Sequence, residues 1–105
     1  MRFNDAAVPL MLFMGVLKSN GWSNGAVEAG QYLPGYRKRF EERGVVAVVS
    51  SNAGAANAQI TGASFEADAP GAGPNGRPPL PLGRVDPVVV SEVLGVLGVL
   101  AARAS

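Results

Sequence analysis

The residues of this chain suited to chemistry are few. Glu66 and Asp68 stand two apart, so in an extended segment both carboxylates project from one side. Such a pair can exchange protons with a substrate or hold a cation. Its more ordinary use is as solvated charge at a strand end, and that reading is favoured here. The second concentration is the run Tyr36-Arg37-Lys38-Arg39-Phe40-Glu41-Glu42-Arg43. Three adjacent cations between two aromatics could grip phosphates or stack on bases. Arg37, Lys38 and Arg39 are therefore candidate anion contacts, and Tyr36–Arg43 is a candidate nucleic-acid-binding module. Against that, Glu41 and Glu42 follow Arg37 and Lys38 by four positions. On a helix the charges then neutralise one another along a solvated face. Nucleic acid is not the expected partner.

The rest of the inventory narrows the chemistry further. The chain has no His and no Cys. The commonest general base, the commonest nitrogen ligand and every thiolate are thus missing. Ser50, Ser51 and Ser64 have no His to activate them, and no spacing supports Lys18 or Lys38 as a substitute base. There is no nucleophile elbow, phosphate loop, dinucleotide fingerprint or calcium loop. The expectation is a non-enzyme with no catalytic, metal or cofactor-binding residues and no small-molecule substrate. A net charge of +1 argues for no global field toward nucleic acid or an anionic membrane. Only 16% of the 105 residues are charged, against about 25% in an average soluble domain. Much of the surface is therefore not built for water.

The elements that would position these residues follow from periodicity. A first helix is expected from a cap at Asn4 or Asp5 to about Lys18, with Pro9 near its start. Phe3, Ala7, Leu10, Met14 and Leu17 share one face, and Val8, Leu12 and Val16 lie opposite, so it is apolar nearly all round. The run Ala6–Leu17 is not read as a secretory signal, because Asp5 sits where basic residues belong and no A-x-A-like site follows. It is also shorter than the ~20 apolar residues a bilayer requires. Ser19-Asn20-Gly21 is echoed by Ser23-Asn24-Gly25, two turn signals. Gly21 suits the left-handed end of the first helix. A short helix is expected through Ala26 to Tyr32, broken at Pro34-Gly35, then charged helical turns stopped by Gly44. Val45–Ser51 is the clearest strand, with both faces covered. Ala58–Ala67 is a second strand, weakened or bulged at Gly62, and the two form an antiparallel hairpin.

Residues 69–87 hold most of the prolines and read as an extended arm. Within it Arg77, Pro78, Pro79, Leu80 and Pro81 form a P-x-x-P segment with an adjacent cation, expected to lie as a belt across a neighbour. Asp86-Pro87 opens a C-terminal helix. At about 100° per residue, Ser91, Gly95, Gly98, Ala102 and Ser105 fall on one side, all small. Val89, Val93, Val96, Leu97 and Leu100 fall on the other, all bulky, and Glu92 and Arg103 share a flank. The bulky side is expected to meet the core. The small side (Ser91, Gly95, Gly98, Ala102) is the candidate helix-packing interface.

The expected fold is α+β, a small single domain spanning 1–105. Residues 1–68 supply helices and a short β-hairpin, 69–87 the arm, and 87–103 the apolar C-terminal helix. The expected function is that of a structural subunit in a larger assembly, partnered by copies of itself or by other proteins. A virion, in capsid or tail, is a natural setting for a chain so rich in Gly, Ala and Val, with a cytoplasmic or membrane-associated one as the other. The competing readings are a small membrane-associated protein with two short apolar helices and the nucleic-acid module above.

Overall fold

The computed structural model describes residues 7–28, 31–54, 56–69 and 77–102. Its centre is an antiparallel sheet of six strands, with two α-helices on one face. The strands are β1 (Ala7–Pro9), β2 (Ser23–Glu28), β3 (Gln31–Phe40), β4 (Val45–Ala53), β5 (Asn57–Ala67) and β6 (Pro79–Leu80). The helices are α1 (Leu10–Ser19) and α2 (Pro87–Ala102). The sheet runs β1-β5-β4-β3-β2, and β6 joins β5 on the same edge as β1, further along the strand.

The predicted hairpin is present as β4 and β5, paired from Val45↔Ala67 to Ala53↔Ala58. Its irregularity falls where Ser50 faces Gly62 and Ser51 faces Ile60, leaving Thr61 as the extra residue beside the suspected glycine. β4 is buried on both sides. Val45, Ala47 and Val49 join the core under the helices, while Val46 and Val48 are buried against the opposite face.

Two expected helical pieces are strands. The segment from Ala26 to Tyr32 belongs to the β2–β3 hairpin, and Tyr36–Phe40 is the second half of β3. Only Glu41–Arg43 coils, as one 3-10 turn ended by left-handed Gly44. The aromatic spacing caused the misreading. Tyr36 and Phe40 are four apart, which puts them on one face of a helix and also on one face of a strand. Pro34-Gly35 does not break β3. These two residues oppose Gly25 alone, so they form a bulge within the ladder. Gly35 takes φ 95 there, a conformation disfavoured for residues with a Cβ.

The first helix begins later than its pattern suggests. Residues 1–6, including the Asn4 and Asp5 caps, lie outside the described residues. Ala7 and Val8 pair with Gln59 and Ala58, and Pro9 ends the strand. A proline without an N–H is tolerated on such an edge. The later start also moves the buried face, so that Phe13 and Leu17 are enclosed and Met14 is exposed. The C-terminal end follows expectation. Gly21 is left-handed, Trp22 N–H donates to the Leu17 carbonyl at 3.0 Å and Gly21 N–H to that of Lys18 at 3.1 Å.

Candidate interaction face

α2 is set in place at its first residues. The Asp86 carboxylate accepts from the Val88 N–H at 2.9 Å, and Pro87 occupies the first helical position. That hydrogen bond, followed by the Arg43 guanidinium at 2.9 Å, holds the Asp86 carboxyl below its ordinary value of 3.8, against a smaller opposing effect of burial. From this start Val89, Val93, Val96, Leu97 and Leu100 fall on the sheet side, and all five are buried with Phe13, Leu17 and Ile60 in one core. Burying such a side chain contributes about 1.5–3 kcal/mol, which fixes the rotation of the helix.

The opposite side faces out. Ser91, Gly95, Gly98 and Ala102 are all exposed, as is Ala101. Two flanks of bulk stand beside this small strip. Val88 (55% exposed) and Val99 (47%) form one, and Leu94 (45%) the other. The sequence reading had the small strip but not these walls. They were visible on the same helical wheel, at roughly 60–80° from its centre. Beside Leu94 a shallow apolar groove of about 510 Å³ is lined by Leu82, Pro87, Val90 and Ser91. The outward side of α1 adds Met11 and Met14. The outer surface of the helical layer is thus largely apolar. The two glycines of α2 cost it about 2 kcal/mol relative to alanine.

The other predicted residues lie elsewhere. Arg37, Lys38 and Arg39 do not form one basic patch, because β3 sends them to alternate faces. Lys38 points to the helix side, where its ammonium donates to the Asn20 carbonyl at 2.8 Å and pairs with Glu92 at 2.9 Å. Arg37 and Arg39 lie on the far face. Arg37 meets Glu66 through two parallel hydrogen bonds of 2.6 and 3.0 Å, and Arg39 meets Asp68 at 2.7 Å. Glu66 and Asp68 do share a side, but not as exposed strand-end charge. Asp68 is nearly buried and also accepts from Arg77 at 2.8 Å. Carboxylates filled by guanidinium donors are held anions with no vacant site for a substrate proton.

The arm residues have an intramolecular place. Arg77 reaches Asp68, the Pro78 carbonyl accepts from the Ala67 N–H at 2.8 Å, and Pro79 and Leu80 pair with Glu66 and Phe65. Pro81 follows directly, before a 3-10 turn at Leu82–Arg84. This part of the arm is a strap on its own sheet, because Arg77 finds an anion and Leu80 an apolar edge within the chain. Residues 70–76, 103 and 105 lie outside the described residues. A second cleft, of about 480 Å³, is lined by Met14, Lys18, Trp22 and Tyr36 and brings no carboxylate to Lys18. Among the described residues no cluster of acidic side chains could hold a metal ion, and no helix is long and apolar enough to cross a membrane.

No family model, curated protein or solved structure matches this chain.

Proposed function

We propose that this chain is a non-enzymatic structural subunit that works by packing against other protein subunits. The observation that carries the reading is the outward side of α2, an apolar strip of small residues walled by Leu94, Val88 and Val99 on a helix whose other side is already buried. A helix apolar all round belongs inside something, and 105 residues enclose only half of this one. Two further observations support it. The candidate acid–base pair is occupied by arginines, and each of Arg37, Lys38 and Arg39 is engaged in an ion pair, which weighs against a free phosphate-binding surface. The strap at Arg77–Pro81 ties the chain to itself, so the helical face and not the arm is the proposed contact. A virion is the setting we favour, since coat and tail proteins are built from many small subunits with such faces.

The test is a charge placed in the strip. A Cβ at Gly95 meets no atom of the chain within 4 Å, so Gly95→Glu leaves the fold room. Its expected effect is a lower mass of the assembled species in mild buffer, read by light scattering, with an unchanged thermal melt. Equal masses for both proteins would count against the proposal, as would a wild-type chain that stays a bare monomer in the presence of its native neighbours.

A further inference from the structure

We infer that the outward face of α2 is the seam of a homodimer, in which α2 packs antiparallel on α2 of a second copy across a two-fold axis midway between Gly95 and Gly98. The inference rests on the reading of the chain as an assembly subunit and deepens it by naming one partner, the same chain.

The first support is what the glycines are not needed for. An added Cβ at Gly95 or at Gly98 meets nothing within 4 Å, and neither residue has a left-handed backbone. Neither internal packing nor local conformation asks for glycine, a poor helix former, at these two positions. What glycine allows there is the close approach of a backbone from outside the chain.

The second support is symmetry. Ser91, Gly95, Gly98 and Ala102 are spaced four, three, four, which reads the same in both directions. Leu94 and Val99 are equidistant from the same midpoint and stand on opposite flanks. A two-fold axis there sets Gly95 against Gly98 and Ser91 against Ala102. With about 100° and 1.5 Å per residue, Leu94 of each copy comes over Gly98 and Ala101 of the other, and Val99 over Ser91 and Gly95. Each bulky side chain meets a small-residue hollow, as ridges meet grooves. The antiparallel direction also opposes the two helix dipoles favourably.

The third support is charge. A two-fold copy lays like upon like, so a charged face would repel itself; this one carries no charged side chain. Glu92, the nearest, is turned to Lys38 of its own chain. A lipid surface is the poorer occupant, because interfacial helices carry Lys or Arg beside their apolar face and residues 87–102 contain neither. The seam is short, about 24 Å for 16 residues, which places it in the weak class of interfaces. The dimer is accordingly expected to dissociate at roughly micromolar concentration.

Sedimentation velocity of the purified chain from about 1 μM to 1 mM tests this. The wild type should pass from monomer to dimer, while Gly98→Leu stays monomeric with an unchanged circular-dichroism melt. Gly95→Leu, made as a second variant, should behave alike. A nitroxide on Val88→Cys, clean because the chain has no cysteine, should report a separation of about 26 Å along the seam, from 17 residues of rise. A parallel pair would bring the two labels to one level. A wild type monomeric throughout overturns the inference, and so does a dimer that survives Gly98→Leu or one with labels at one level. In the latter two cases the subunit reading survives. In the first it then depends on the mass of the species formed with other proteins.

Discussion

At the scale of single residues, the far face of the sheet shows how a chain with little charge uses what it has. Arg37 lies level with Val48 and Ser64, and Arg39 with Val46 and Glu66. Each arginine reaches diagonally across β4 to the carboxylate one row further on, Arg37 to Glu66 and Arg39 to Asp68. Their aliphatic stems shield Val46 and Val48, which no helix covers. Arg37 and Glu66 are 10% and 15% exposed, so breaking the pair strands a buried charge. Glu66→Gln should destabilise the fold by about 3 kcal/mol in urea titration, whereas Arg37→Met combined with Glu66→Leu should recover most of that loss. Asp86 makes a pH prediction. Its carboxyl is held low by the Val88 N–H and then by Arg43, so its contribution is present above its ordinary value of 3.8 and is lost as the pH falls through the lower folded value. Melting temperature followed from pH 7 downward should drop less steeply below that point in Asp86→Asn than in the wild type. Parallel curves for the two proteins would remove Asp86 from the acid response.

At the scale of elements, the two helices show what periodicity can and cannot read. α2 matches its pattern from cap to core because each position has one strong preference: Asp86 to cap, Pro87 to start, five bulky residues to bury. Gly98→Ala should therefore raise the stability of the monomer by about 1 kcal/mol, since the added methyl meets nothing and the helix gains propensity. Measured at a concentration where the chain is monomeric, an unchanged melt would mean that something unseen crowds Gly98. β3 is the opposite case. Its charges and aromatics suit both a helix and a strand, and only pairing with β2 and β4 resolves them. The bulge at Pro34-Gly35 depends on a glycine, because φ is 95 and a Cβ would press on the Val49 carbonyl at 3.2 Å. Gly35→Ala should cost about 1–3 kcal/mol by the same titration.

At the scale of the whole molecule, one core joins the helices to the sheet. Trp22, the single tryptophan, is buried in it directly after α1, and Phe13 meets Tyr36 edge-on at 5.3 Å between ring centres. Lys38 links β3 to the end of α1 and to α2 at once. A single core so tied should unfold in one step. Trp22 fluorescence and far-ultraviolet circular dichroism should give superimposable urea transitions; two separated midpoints would show that a helix detaches before the sheet.

The sequence alone determined the class of the fold, the β4–β5 hairpin, the Gly21 and Gly44 stops, and both sides of α2. Those features rest on local preferences, namely caps, β-branching, left-handed glycines and the volume of side chains at helical spacing. The tertiary structure decided the rest. It made strands of the segments around Tyr32 and Tyr36, began α1 at Leu10, turned the arm into a strap and gave every residue of the basic run a carboxylate. Those outcomes depend on partners distant in the chain: Val46 and Val48 beside Arg37, Asp68 beneath Arg77, Gln59 beside Ala7. No local pattern encodes which remote neighbour arrives, and an even spacing of polar and aromatic residues stays ambiguous until one does.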